Sequence, residues 1–316
     1  MTTTTTRATA DSEVRVRVGS APDSWGVWFP RDEQQLPWHQ FLDELVEAEY
    51  EWLELGPYGY LPTDPARLND EVGKRGLRVS GGTVFGALHR ADVWDETVAT
   101  ARRVAELTAG VDARHLVFIP PLFRDEKTGG YKESPELDAA GWKSLTHRAT
   151  EIGKILRHDY DIGLQFHSHA DSHVEKQDDI ERFLDGTDPA YVSLCLDTGH
   201  VAYGGGDSVA LIRKFPERIG YVHIKQMDPA VIADVRAKNL SFGEAVKLGV
   251  CVAPPLGVPS VESIAGALAE TDAALFVIVE QDLYPCKPDV PLPIAKRTRQ
   301  IMRACGLGAK HQVRSN

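Results

Sequence analysis

The sequence has few of the features that mark secreted, membrane or nucleic-acid-binding proteins. Its 316 residues include four cysteines, and no two of them form a Cys-x-x-Cys pair. This argues against a disulfide framework or a zinc–thiolate site, and we expect reduced thiols in a cytoplasmic protein. Basic residues do not dominate, because the net charge is −11, which argues against nucleic acid or an anionic membrane as a partner. No apolar run approaches the roughly 20 residues of a membrane span.

The two ends of the chain also lack clear structural signals. Residues 1–10 are mostly threonine and do not contain the apolar core of a signal peptide. We expect residues 1–13 to be a disordered tail and residues 307–316 to be a loose C-terminal tail. Residues 14–306 are then predicted to form one domain, since a single α/β barrel commonly takes about 250 residues.

Within this segment, short apolar runs alternate with amphipathic stretches. Eight runs have the nearly continuous apolar character of parallel strands: residues 14–20, 52–55, 77–80, 115–119, 162–167, 192–197, 219–225 and 275–280. Eight stretches have helical spacing: residues 38–49, 64–75, 97–109, 139–157, 180–185, 208–215, 261–270 and 294–305. This alternation predicts an α/β fold, a single (β/α)8 TIM barrel. A doubly wound open sheet is the alternative, but no glycine-rich phosphate turn follows the first strand.

Ionisable side chains cluster at the ends of four successive predicted strands. In a TIM barrel these ends meet at one mouth, where active sites form. The fifth strand ends at His167 and His169, the sixth at Asp197, the seventh at His223 and the eighth at Glu280. A lone histidine on a strand is more often structural, and an Asp-Thr-Gly after a strand is more often a turn. Burying so many ionisable groups together is costly unless a metal or substrate satisfies them, so the coincidence indicates a functional site.

An Asp, a His and a Glu on three successive strands form a mixed oxygen and nitrogen ligand set. We therefore predict that Asp197, His223 and Glu280 hold a divalent metal, with positions left open for substrate oxygens. We favour Mn²⁺ and keep Co²⁺, Mg²⁺ and Zn²⁺ as alternatives. The fifth strand would supply the fourth ligand, either His167 at its end or Glu175 further along the chain.

Four residues near the predicted mouth are candidates for contacting a sugar-like substrate. Trp25 follows the first strand, Glu54 ends the second, Gln281 follows the eighth, and Glu175 follows the fifth. Packing beneath the loops would explain the aromatic residue Trp25 equally well, and Glu54 would point either to the mouth or into a barrel layer.

These strand ends resemble those of the xylose isomerase-like superfamily of sugar isomerases and epimerases. The resemblance covers about residues 16–305 and is most specific at residues 166–169 (Phe-His-Ser-His), 196–200 (Leu-Asp-Thr-Gly-His), 222–225 (Val-His-Ile-Lys) and 279–282 (Val-Glu-Gln-Asp). The chain is most similar to the inosose (2-keto-myo-inositol) dehydratase branch, which also fits residues 19–26. The resemblance implies a metal on Asp197, His223 and Glu280, with His200 against a substrate hydroxyl and Lys225 near the carbonyl.

The chemistry implied by the resemblance begins with removal of a proton next to a carbonyl. Glu280, His167 or His169 would be the base, and histidine suits a base near pH 7. Loss of a β-hydroxyl, with His169 or His200 as the acid, would make the protein a lyase of the dehydratase type. Reprotonation would make it an epimerase or isomerase, and elimination of an aglycone from a 3-keto-glycoside would make it a deglycosidase. The superfamily's usual ligand on the fifth strand is a glutamate, where this chain has His167.

The expected partner is a small keto-sugar or keto-polyol substrate. We also expect the chain to form a homo-oligomer. Some superfamily members that cleave C-glycosides in this way work with a small second subunit. A metal-dependent hydrolase or DNA-repair nuclease on the same barrel is a different class, but it would need more metal ligands and a basic groove. A non-catalytic sugar-binding barrel would bind metal without turnover.

Overall fold

The computed structural model describes residues 16–125, 127–271 and 273–308. Its strands are β1 (Val16–Ser20), β2 (Trp52–Glu54), β3 (Arg78–Phe85), β4 (His115–Ile119), β5 (Gly163–His167), β6 (Val192–Asp197), β7 (Ile219–Ile224), β8 (Gln226–Met227), β9 (Cys251–Val252) and β10 (Leu275–Val279). Eight parallel strands close in the order β1-β10-β7-β6-β5-β4-β3-β2, and β8 pairs with β9 antiparallel. The predicted TIM barrel is confirmed.

Helices alternate with the barrel strands. They are α1 (Trp38–Glu47), α2 (Pro65–Gly73), α3 (Trp94–Gly110), α4 (Ala139–Tyr160), α5 (Gln177–Gly186), α6 (Thr198–Tyr203), α7 (Ser208–Lys214), α8 (Pro229–Lys238), α9 (Phe242–Lys247), α10 (Val261–Ala269) and α11 (Pro291–Ala304). Aspartates begin several of them: Asp64, Asp138 and Asp207 each accept a hydrogen bond from a first-turn N–H. Such caps contribute about 1 kcal/mol each. Among the described residues, no helix is both long and apolar enough to cross a membrane.

Two apolar layers hold the barrel together. The larger layer packs helices against strands, and in it Phe166 of β5 stacks on Phe183 of α5 with ring centroids 3.8 Å apart. The smaller layer consists of buried side chains on the opposite faces of the strands, those that point into the barrel. They are Val117, Cys195, Tyr221, Phe276 and Ile278, with Ala21. The hydroxyls of Tyr221 and Ser80 lie 2.7 Å apart within the barrel. The second layer fills the barrel beneath its mouth, as in other barrels of this class.

The long connection between β7 and α10 is largely folded. It contains β8, α8, α9 and β9. At the chain ends, the predicted tail of residues 1–13 lies outside the described residues, as does most of the tail of residues 307–316. Leu307 is described, and it is buried against the larger apolar layer.

Candidate metal centre

Four side chains able to bind a metal meet at the C-terminal end of the barrel. His167, Asp197, His223 and Glu280 each present a ligand atom, and these atoms all lie within 4.8 Å of one another. The first three are fully buried, and the side chain of Glu280 is 11% exposed. Strand register brings them together, because Asp197 of β6 pairs directly with His223 of β7. Of the two fifth-strand candidates for the fourth ligand, the structure brings His167 into this group.

Several of these atoms have no hydrogen-bond partner among the described residues. They are His167 Nδ1, His223 Nδ1 and Asp197 Oδ2, the last of which has only ion-pair contacts, such as that with Lys225 Nζ at 3.2 Å. His223 Nδ1 lies 3.0 Å from Glu280 Oε2 and 3.8 Å from Asp197 Oδ2. A buried polar atom without a partner costs about 1–3 kcal/mol, and such atoms are normally satisfied by protein, water or an ion. The residues present therefore fit a divalent metal with nitrogen and oxygen ligands.

Glu54, at the end of β2, holds His223 from the opposite side. Its Oε2 lies 2.9 Å from His223 Nε2, and its Oε1 accepts a hydrogen bond of 2.5 Å from the Thr83 hydroxyl. Because a carboxylate accepts and does not donate, His223 Nε2 is the donor, and Nδ1 is the nitrogen that faces the other ligands. A carboxylate behind a ligating histidine is the usual support for a metal site.

Lys225 is buried among three carboxylates. Its Nζ lies 2.8 Å from Asp282 Oδ2 and 3.2 Å from both Asp197 Oδ2 and Glu280 Oε2. Burial alone would lower the pKa of Lys225, but these carboxylates raise it well above its usual value, so the side chain is an ammonium. Three carboxylates around one ammonium leave an excess of negative charge, which favours a bound cation.

Two histidine rings, those of His169 and His200, lie against each other at a tilt, with centroids 3.9 Å apart. His169 Nδ1 donates to the Ala170 carbonyl at 2.7 Å, so its Nε2 keeps a lone pair. The Ala170 N–H donates to His200 Nδ1 at 3.1 Å, and His200 Nε2 lies 3.2 Å from the Lys225 ammonium. Burial, and then the neighbouring His167, lowers the pKa of His169 to about 4. Burial also lowers the pKa of His200 well below its usual value.

A cavity of about 520 Å³ lies over these groups. Its floor is polar and includes Glu54, His167, His169, His200, Lys225, Glu280 and Asp282. Its outer wall is mostly apolar and includes Val27, Trp28, Phe29, Pro57, Tyr58, Phe85, Leu122 and Phe242. The opening therefore combines an ionised floor with an aromatic rim, an arrangement common in small-molecule sites.

Three of the residues expected to contact substrate do not line this cavity in the part of the chain that the structure describes. Trp25 corrects the sequence prediction: it is a core residue, because its indole N–H donates to buried Glu44 at 2.9 Å. Glu175 lies behind the wall, where its Oε1 accepts from the Asp171 N–H at 3.4 Å. Gln281 donates to a backbone carbonyl of β9 at 3.3 Å.

Sequence reasoning missed two acidic residues at the cavity, Asp23 and Asp282. Asp282 accepts from Trp28 Nε1 at 3.1 Å. Its position could have indicated it, because Asp282 lies two residues after Glu280, just beyond the end of the predicted eighth strand. Burial, and then the Glu280 carboxylate, raises the pKa of Asp23 well above its usual value. Asp23 sits in a short 3-10 helix, Pro22–Trp25, where no sequence periodicity predicts which way a side chain points.

Comparison with known proteins agrees with this architecture. The model of the xylose isomerase-like TIM barrel family matches residues 42–305. The chain belongs to this family. Its relatives include the inosose dehydratase of Geobacillus kaustophilus, 30% identical over 302 residues that cover 90% of this chain and 93% of that protein. The rhizopine catabolism protein MocC of Rhizobium meliloti is 30% identical over 308 residues, covering 96% and 93%.

Among solved structures, the IolI protein with a zinc atom matches with a TM-score of 0.65 at 15% identity. The match covers 91% of this chain and 98% of that one. This likeness shows the fold. Together with the curated relatives, it confirms the predicted resemblance to the xylose isomerase-like superfamily and, within it, to inosose dehydratases.

Proposed function

We propose that the protein is a divalent-metal-dependent lyase that enolises a keto-polyol and eliminates a β-hydroxyl, as an inosose dehydratase does. The observation that carries the proposal is the group of four candidate ligands, of which His167 and Glu280 line the cavity, beside an ammonium and two neutral imidazoles on its floor. Relatives named inosose dehydratase support the reaction class, and the zinc atom of IolI supports a divalent metal. Mn²⁺ is the metal that we propose, and the free cysteines support a cytoplasmic location.

His167, Asp197, His223 and Glu280 would hold the metal, which when bound would polarise the substrate carbonyl and stabilise the negative charge that develops on it. The remaining chemistry belongs to the chain itself. Lys225 is a buried ammonium at the cavity floor and would donate a hydrogen bond to an oxygen of the substrate. Because the floor residues are buried, bulk water is excluded and these interactions are strengthened.

His169 is the base in this proposal, because its Nε2 keeps a lone pair and its ring lines the cavity. It takes the proton from the carbon next to the carbonyl and becomes an imidazolium. It then returns that proton to the β-hydroxyl as the carbon–oxygen bond breaks, so that water leaves and an unsaturated ketone remains. His200, whose ring lies against that of His169, contacts the Lys225 ammonium through Nε2 at 3.2 Å and would help to hold that ammonium towards the substrate.

The test is turnover of 2-keto-myo-inositol by protein stripped with EDTA and then supplied with Mn²⁺, Co²⁺ or Zn²⁺, followed by the ultraviolet absorbance of the product. We expect metal-dependent absorbance, and a fall of about 10²–10⁴ in kcat for His169→Asn. The control is His158→Asn, an exposed histidine on α4. The dehydratase proposal fails if no metal supports product formation, and the enolising step fails as well if no α-proton exchanges into D₂O.

The apolar rim of the cavity favours a second candidate, a 3-keto-glycoside that loses an apolar aglycone by the same elimination. A volume of 520 Å³ is within the range of about 300–1,000 Å³ that holds drug-sized ligands, and more than one keto-inositol ring requires. Two rim aromatics remain exposed, Phe85 at 52% and Tyr58 at 39%, as expected of a surface that binds apolar groups. If this candidate is right, Phe85→Ser will lower kcat/KM for an aryl 3-keto-glucoside and leave that for 2-keto-myo-inositol unchanged. Equal effects of Phe85→Ser on kcat/KM for both substrates would refute this second candidate.

A further inference from the structure

A second group of metal-binding side chains lies outside the candidate metal centre, in three loops at the same end of the barrel. His89 lies in the loop between β3 and α3, Glu133 in the loop between β4 and α4, and His173 in the loop between β5 and α5. Each offers one ligand atom, and the three atoms lie within 4.8 Å of one another. They come from loops that are far apart in sequence, so only the closed barrel brings them together.

The contacts inside this group suit a metal as well as an ion pair. His89 Nε2 lies 3.0 Å from Glu133 Oε2. The His89 and His173 rings meet edge to face with centroids 4.7 Å apart. His173 Nε2 lies 2.9 Å from the Ser134 carbonyl, and because a carbonyl only accepts, Nε2 carries the hydrogen and Nδ1 keeps a lone pair. Donation from one ring nitrogen to a backbone carbonyl, with the other nitrogen left open, is the usual orientation of a metal-binding histidine.

The two histidines of this group are buried, and the carboxylate is partly exposed. The side chain of His89 is 8% exposed, His173 is 6% exposed and the side chain of Glu133 is 29% exposed. An ion pair would employ only His89 and Glu133, whereas a third donor, His173, is held in the same place with a ring nitrogen to spare. The partly exposed carboxylate leaves a route by which an ion can enter.

We propose that His89, Glu133 and His173 form a second metal site, which takes a Zn²⁺-like divalent transition metal. Two imidazoles and one carboxylate are a ligand set used by zinc, with a fourth position for water. At Zn–N and Zn–O distances of about 2.0–2.2 Å, neighbouring ligand atoms in a tetrahedral site stand about 3.4 Å apart. The 3.0 Å contact between His89 and Glu133 is already close to that spacing, and the ligand atom of His173 lies within 4.8 Å of both.

The proposed ion would act as a structural link among three loops of the barrel mouth. Lys132, next to Glu133, lines the cavity, as do Phe85 and Leu122 from the ends of β3 and β4. A metal that ties these loops together would fix the apolar wall of the cavity without touching the reacting groups. The proposal does not depend on the proposed reaction, because its ligands are separate from His167, Asp197, His223 and Glu280.

The experiment is a Zn²⁺ titration of tag-free, EDTA-stripped full-length protein by calorimetry, with bound zinc counted by elemental analysis after gel filtration. Wild type should bind two equivalents. Asp197→Asn should keep one equivalent and lose the other, whereas Glu133→Gln should keep the site at Asp197 and weaken the second binding event at least about tenfold. His89→Asn combined with Asp197→Asn should bind none. His158→Asn is the matched control for loss of a histidine and should bind two equivalents.

A second readout guards against variants that fail to fold. Zn²⁺ should raise the melting temperature of Asp197→Asn, since an ion that binds only the folded state stabilises it, and should not raise that of the double variant. The proposal is overturned if wild type binds a single equivalent that Asp197→Asn abolishes. It is also overturned if Asp197→Asn binds zinc and the addition of His89→Asn or Glu133→Gln leaves that affinity unchanged. Failure of the lyase proposal would instead appear as two bound zinc ions without turnover.

Discussion

The support that Glu54 gives to His223 leads to a measurable consequence for metal affinity. Glu54→Gln keeps the size of the side chain, and its amide oxygen can still accept from His223 Nε2, while the Thr83 hydroxyl can turn to accept from the new NH₂ group. The change therefore removes the negative charge behind the imidazole and leaves the 2.9 Å contact in place. Loss of such a partner typically costs 10–100-fold in metal affinity, which is about 1.4–2.7 kcal/mol.

The assay is titration of EDTA-stripped wild type and Glu54→Gln with Zn²⁺ or Mn²⁺ in the presence of a competing chelator, so that Kd is measured directly. Glu44→Gln is the matched control, because Glu44 is also buried and also accepts a ring N–H, from Trp25 at 2.9 Å. We expect weaker binding in Glu54→Gln alone, with melting temperatures of the two variants compared to check folding. An unchanged Kd in Glu54→Gln, or an equal loss in Glu44→Gln, would refute the reasoning.

Three further predictions concern the metal centre, acid stability and the core. Asp197→Asn should reduce metal affinity and turnover more than tenfold yet leave far-ultraviolet circular dichroism unchanged, because the amide oxygen can still cap α6 as Oδ1 does at 2.8 Å. Burial lowers the pKa of His115 from 6.5 to about 4, so the stability it contributes is complete above pH 6.5 and is lost as the pH falls towards 4, by about 3 kcal/mol. His115→Gln should flatten the dependence of the unfolding free energy on pH in that window, and an unchanged slope would refute the assignment. Phe166→Ala should destabilise the protein by about 3–5 kcal/mol in urea unfolding, and a loss below about 1 kcal/mol would show that its stacking contributes little.

The sequence predicted the barrel well because most strands are largely apolar runs, and several of them end at or beside an ionisable residue. Runs such as residues 115–119 and 192–197 coincide with β4 and β6 without adjustment. The same alternation predicted that His167, Asp197, His223 and Glu280 would converge, since strands of a parallel barrel all end at one mouth. Predicting this convergence requires only the fold class and the positions of the strand ends, and both follow from the local sequence pattern.

What the sequence could not supply is contact between elements that are distant in the chain. Glu54 precedes His223 by 169 residues, and nothing local shows that β2 and β7 face each other across the closed barrel. Trp25 lies in a 3-10 helix, and its buried partner Glu44 lies on α1, so its place in the core depends on packing. The helix α8 was missed although Asp228 caps it and Pro229 begins it, because its apolar residues do not fall on one stripe.

Strand β7 shows how one segment can serve both stability and chemistry. Side chains on a strand alternate between faces, so Tyr221, His223 and Lys225 point to the interior in three successive levels. Tyr221 packs in the inner apolar layer and meets Ser80, His223 joins the ligands, and Lys225 reaches the cavity. A shift of one residue would replace this series with apolar side chains and expose the ionised ones to the helix layer. Changes that disturb the strand should therefore destroy the fold and the metal site together. A change of charge at one level should instead alter metal affinity and leave the barrel intact. Only substitutions of this second kind can distinguish a metal ligand from a residue that supports the fold.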